Sequence, residues 1–238
     1  MPPGFIVFVA ASLRICWRSL SEGLVLEVVD GPGVNRYAGE RYAYGTGLRK
    51  KGPREEHADL RGPNDRDGVA ILASTDRSRL PELVPVRYER MLASPFAYLR
   101  GAAAVMAADL RHQPIARIPV QACGDCHLMN FGAFATPEQN IVFDINDFDE
   151  TLPGVDFTVD LKRLAASVAV AALAANLSKT GARALAATTV EAYRSRIRNL
   201  AKLSPMEIWH SKISLARDRT HRGSRASTRA PKHSLQGA

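Results

Sequence analysis

The segment that most constrains this chain runs from Cys123 to Glu150. A loop there holds Asp125, His127 and Asn130. Two short runs rich in Phe, Val and Ile, residues 131–135 and 140–145, follow on either side of Thr136-Pro137-Glu138-Gln139. Brief β-branched and aromatic runs around a proline-containing turn predict a hairpin. That hairpin delivers Asp144, Asp147 and Asp149 into one neighbourhood. Acids so crowded beside an apolar hairpin repel one another unless cations or fixed donors neutralise them. Carboxylates with an amide oxygen form a hard-oxygen donor set, suited to Mg²⁺ rather than to zinc or copper. Mg²⁺ held by one or two carboxylates completes its shell with water and substrate phosphates, the arrangement phosphoryl transfer requires.

The rest of the sequence sets the frame. At 238 residues the chain has room for one large domain. Its net charge of +8 is concentrated late: residues 206–238 carry seven Lys or Arg against two acids. A basic tail of this kind is ordinarily solvated; nucleic-acid contact, if any, would run through residues 216–238. Three cysteines (Cys16, Cys123 and Cys126) are too few for a disulfide framework, so a reducing cytoplasm is expected. The apolar run at residues 5–11 is too short to span a bilayer and lacks a basic start, so no membrane partner is expected.

Along the chain, residues 1–46 form an extension without a readable motif. Residues 48–80 are polar and turn-forming. Ser94-Pro95 predicts a capped helix start, with Phe96, Leu99, Ala103, Met106 and Leu110 continuing one helix to about His112. Residues 160–176 and 180–203 read as two long helices, the first Ala-rich. Residues 211–238 read as a basic, disordered tail. The expected class is α+β, mainly helical with a small β-hairpin.

The spacing carries more. In kinases the Asp that takes the hydroxyl proton precedes a metal-binding Asn by five residues, and a hairpin then brings a second metal-binding Asp. Asp125 and Asn130 are five apart; Asp144 and Asp147 follow Asn130 by 14 and 17. The stretch Gly124 to Asn130 resembles the catalytic loop of aminoglycoside phosphotransferase-type kinases, and Asp160-Leu161 resembles their helix-heading Asp-Leu pair. More widely, residues 80–87, 90–103, 123–132, 143–154 and 160–164 resemble the bacterial family catalogued as domain of unknown function 2252. That likeness spans residues 47–210. It implies the catalytic lobe of a protein kinase-like fold and a phosphotransferase using ATP and Mg²⁺ on a small-molecule hydroxyl. Asp125 would be the base, with Asn130 and either Asp144 or Asp147 on the metal.

The chain departs from that family in lacking a glycine-rich segment followed by a Lys-Glu pair, so a truncated, inactive kinase-like module is the alternative expectation. It also departs at Cys126, where Cys123-Gly124-Asp125-Cys126-His127 matches the pattern for c-type haem attachment. No haem is expected, because no signal peptide is visible and Met129 is too near to serve as an axial ligand; two small buried thiols are the expectation. His127 is expected to fix the loop by hydrogen bonding. Asp149 is placed around the metal or in solvent, Asp160 as a helix N-terminal charge, and Lys162 and Arg163 as neutralisers of the acidic stretch. Arg100 has two readings: reaching a phosphate, or pairing with a nearby acid.

Overall fold

A computed structural model describes residues 38–63 and 65–214. The expectations for residues 1–37 and for the tail beyond 214 lie outside the described residues.

The class is α+β: helices with two small antiparallel sheets. Helix α1 (Ala38–Lys51) runs across the boundary expected at residue 46. Helix α2 (Gly68–Asp76) lies where only turns were expected. Its cap explains it, since the Asp67 carboxylate accepts from the amides of Val69 and Ala70. Helix α3 (Val84–Leu92) follows a one-turn 3₁₀ segment at Pro81–Leu83. The single helix expected over residues 94–112 is two, α4 (Pro95–Gly101) and α5 (Ala103–Leu110). Ser94 caps α4 as expected, its hydroxyl accepting from Ala97 N. The break at Ala102 is tertiary: Gly101 faces Met91 so closely that a β-carbon there would overlap the methionine side chain. Leu72, Met91, Ala102 and Val105 form a first core from these helices.

Strand β1 (Pro119–Ala122) pairs with β4 (Leu152–Asp156), and β2 (Phe131–Ala135) with β3 (Ile141–Ile145), the expected hairpin. Helix α6 (Thr158–Ala174) ends in a left-handed Asn176, with Leu177 N donating to Ala172 O and Asn176 N to Leu173 O. These two bonds close a helix end in the usual way. The chain returns as α7 (Lys179–Leu200), and Phe157 stacks on Tyr193 with ring centroids 5.9 Å apart. After α8 (Pro205–His210) it lies against the open edge of the hairpin, where Phe143 N donates to Ile213 O and Val142 bridges to Ser214. A second core of Cys123, Cys126, Ile145 and Leu164, flanked by Phe131, Phe148 and Val168, ties β1, the following loop, the hairpin and α6 together.

Candidate catalytic loop

The loop leaving β1 is held by one face of α6. Residues 160, 163 and 167 are spaced by three and four, so they share a helix face. Asp160 accepts from Cys123 N at 2.8 Å and Gly124 N at 3.1 Å. Arg163 grips the Asp125 carboxylate through Nε at 2.7 Å and Nη2 at 2.5 Å, both to Oδ1. The Ser167 hydroxyl accepts from Leu128 N at 2.9 Å and donates to Leu164 O at 2.7 Å. Thus a single helix fixes the loop at three successive points. The fixing has a cost: burial, aided by the nearby Asp125 charge, raises the Asp160 pKa even though two amides favour its anion.

Asp125 and Arg163 are both buried, 8% and 2% exposed, so neither can be satisfied by bulk water. Arg163 also donates to Leu99 O at 2.6 Å and meets the Met106 sulfur, joining the loop to α4 and α5. With Oδ1 taken by Arg163, Asp125 Oδ2 remains, 3.6 Å from His127 Nε2. His127 Nδ1 accepts from Met129 N, which leaves the imidazole proton on Nε2, facing Asp125. Burial lowers the His127 pKa, and the charges of Arg163 and Arg100 push the same way against the pull of Asp125. The ring is therefore neutral at pH 7. These contacts tie the imidazole to the Met129 amide and to Asp125 within the loop.

Asn130 is buried, and its side-chain amide donates to Asp125 O at 2.8 Å. Its own carbonyl accepts from Asn146 N, which extends the hairpin ladder by one step. Asp144 stands opposite Gly132 in that ladder, with Oδ1 accepting from Ile145 N. Asp147 is half-buried; its carbonyl accepts from the Cys123 thiol and Oδ1 from Asp149 N, both at 3.5 Å. Glu150 is crowded: burial and the charges of Asp125, Asp147 and Asp149 all raise its pKa. Gly124, at φ +91°, packs against the Glu150 carbonyl where any β-carbon would overlap it. The glycine therefore fastens the start of the loop to the acidic stretch.

Cys123 and Cys126 are free, buried thiols facing the core, and the Cys123 hydrogen bond, together with burial, raises Cys126 well above the ordinary thiol pKa. Of the candidate residues, Asp125, His127 and Asn130 come together on one loop, while Asp147, Asp149 and Glu150 gather on the acidic side. Among the described residues no three His, Cys, Asp or Glu side chains converge as a ready-made metal cage. The oxygen donors that could hold a hard cation are Asn130 with Asp144 or Asp147. Arg163 and Asp160, read from sequence as a neutraliser and a helix-end charge, turn out to be the supports of the loop. Polar residues at helical spacing in an Ala-rich helix were the available signal.

A family model described as an uncharacterized protein conserved in bacteria (DUF2252) matches residues 79–236, well over half of the sequence. The chain belongs to this family. The match covers α3 to α8 and every candidate residue from Arg100 to Arg163, so the loop and its supports are part of the family domain. No curated protein and no solved structure matches the chain. No helix among the described residues is long and apolar enough to cross a membrane.

Proposed function

We propose that the chain is a kinase-like phosphotransferase, moving a phosphoryl group from a nucleoside triphosphate to a hydroxyl of a small molecule in the cytoplasm. One observation carries this reading. Asp125 and Asn130, five residues apart, are hydrogen-bonded together on a rigidly supported loop, and the hairpin returns residues 144–147 directly beside Asn130. Catalysis of phosphoryl transfer is mainly positioning and charge neutralisation, and a loop fixed at three points by one helix suits that task.

Asp125 Oδ2 would accept the hydrogen bond, and then the proton, of the attacking hydroxyl. Arg163 on Oδ1 aims that carboxylate, and the neutral His127 keeps the loop backbone in register. Mg²⁺ fits the donor set, since it needs only one or two carboxylates and the acids around Glu150 repel one another without a cation. Asn130 with Asp144 or Asp147 would hold it, and it would neutralise phosphate charge. Calorimetric titration of the full chain with ATP and Mg²⁺ tests the reading. Mg²⁺-dependent binding that an Asp144→Ala/Asp147→Ala double variant loses is the expected result. A folded chain that binds no ATP with Mg²⁺ would overturn it.

A second reading has its own observation. Asp125 is buried and engaged by a buried arginine, as a purely structural ion pair would be. On that reading the module is catalytically silent, and Asp125→Asn changes stability but leaves any ligand binding intact.

A further inference from the structure

The end of α4 (Pro95–Gly101) is fixed from two sides. Arginines near a helix C-terminus commonly bond its last carbonyls, yet here residues from elsewhere in the chain do so. Arg163 Nη2 donates to Leu99 O at 2.6 Å, and Arg87 Nη2 donates to Gly101 O at 2.7 Å. Arg87 is itself held by Asp76 at 3.1 Å, and Gly101 is pressed against Met91. Arg100 lies between these two anchored carbonyls. Its side chain is released from capping and mounted on a stiff platform.

Three further facts bear on Arg100. It is exposed, and among the described residues its side chain makes no hydrogen bond or ion pair. It adjoins the loop, because one Arg163 nitrogen bridges Leu99 O and Asp125 Oδ1. Its charge is felt at His127. The local balance is also uneven. Arg163 is paired with Asp125, whereas Arg100 has no ion-pair partner among the described residues. The acids Asp147, Asp149 and Glu150 lie on the hairpin side.

We propose that Arg100 is an oxyanion-binding residue of this site, its guanidinium fork receiving a phosphate group of the molecule held beside Asp125. The inference rests on the phosphotransferase reading for what that molecule is, and it narrows the substrates to those bearing a phosphate within reach of the loop. A planar fork with two parallel N–H donors matches two phosphate oxygens, which a lysine ammonium does not.

The test uses the full chain and inorganic phosphate alone, without nucleotide or Mg²⁺, at constant ionic strength. Arginine side-chain NMR signals are followed during the titration in wild type, Arg100→Gln, Arg100→Lys and the control Arg183→Gln, an exposed arginine on α7. The expected result is a saturable shift of the Arg100 Nε–H signal. Arg100→Gln should weaken phosphate binding roughly tenfold or more, Arg100→Lys should be intermediate and Arg183→Gln unchanged. Equal binding by wild type and Arg100→Gln, or none by wild type, overturns the proposal. The Mg²⁺–ATP titration of the Asp144→Ala/Asp147→Ala variant reports on the parent reading separately. Phosphate bound at Arg100 by a chain that ignores Mg²⁺–ATP would leave the anion site standing and remove the kinase.

Discussion

Replacing Arg163 by methionine removes the cation from a buried pair while keeping much of the side chain's volume. Arg163 is 2% exposed and Asp125 8%, and both guanidinium bonds to the carboxylate, at 2.7 and 2.5 Å, disappear at once. Breaking a buried pair from one side costs about 3–5 kcal/mol, because the remaining charge is left without a partner. The lost bond to Leu99 O adds little, since that carbonyl still accepts from Ala102 N at 3.2 Å. Removing both charges, in Arg163→Met/Asp125→Asn, should return the protein to within about 1–2 kcal/mol of wild type, as swapped-out buried pairs generally do. Urea unfolding followed by far-ultraviolet circular dichroism measures all four corners of this cycle. In a chain of this size the single variant's loss corresponds to a fall in Tm of roughly 6–20 °C. The reasoning is refuted if Arg163→Met lies within about 1 kcal/mol of wild type, or if the double variant is less stable than the single one.

Two further outcomes follow from the same loop. Gly124→Ala should cost about 3 kcal/mol or more, combining left-handed strain with overlap on the Glu150 carbonyl, whereas Gly154→Ala, equally left-handed at φ +77° but with open space around it, should cost only about 1 kcal/mol; equal losses in urea unfolding would contradict the packing argument. The lowered His127 pKa means that its contribution to stability is present above the unfolded value of 6.5 and is lost as pH falls through the lower folded value. Asp160 and Glu150, whose pKa values are raised, act in the opposite sense on acidification, so the comparison is with His127→Asn: wild type should lose more stability than that variant between pH 7.5 and 5, and parallel pH profiles would count against a buried neutral ring.

What could be read from the sequence was local. The hairpin announced itself through two short Phe/Val/Ile runs around a proline turn, and Ser94 marked a helix start by its own chemistry. The fracture at Ala102 could not be read, because apolar spacing continues smoothly from Phe96 to Leu110. The cause is Met91 pressing on Gly101, with Arg87 and Arg163 engaging the flanking carbonyls, all of them contacts from outside the helix. Helix α2 was hidden by the turn-forming residues around it, though Asp67 offered a cap. At the site, the five-residue step from Asp125 to Asn130 was legible, but the partner of Asp125 lies 38 residues away. A buried ion pair is set by three-dimensional packing, and no local pattern fixes which arginine supplies it.

The bond from Phe143 N to Ile213 O bears on how the protein is made. Among the described residues, the backbone bond to that edge of the hairpin that presents Asp144 comes from a stretch seventy positions further along, from 143 to 213. At roughly 5–20 residues per second, the nascent chain waits several seconds for that bond. An unpaired strand edge is a template for joining other chains. The acids at its end, Asp144, Asp147, Asp149 and Glu150, give the growing polypeptide a like-charged guard against self-association during that interval.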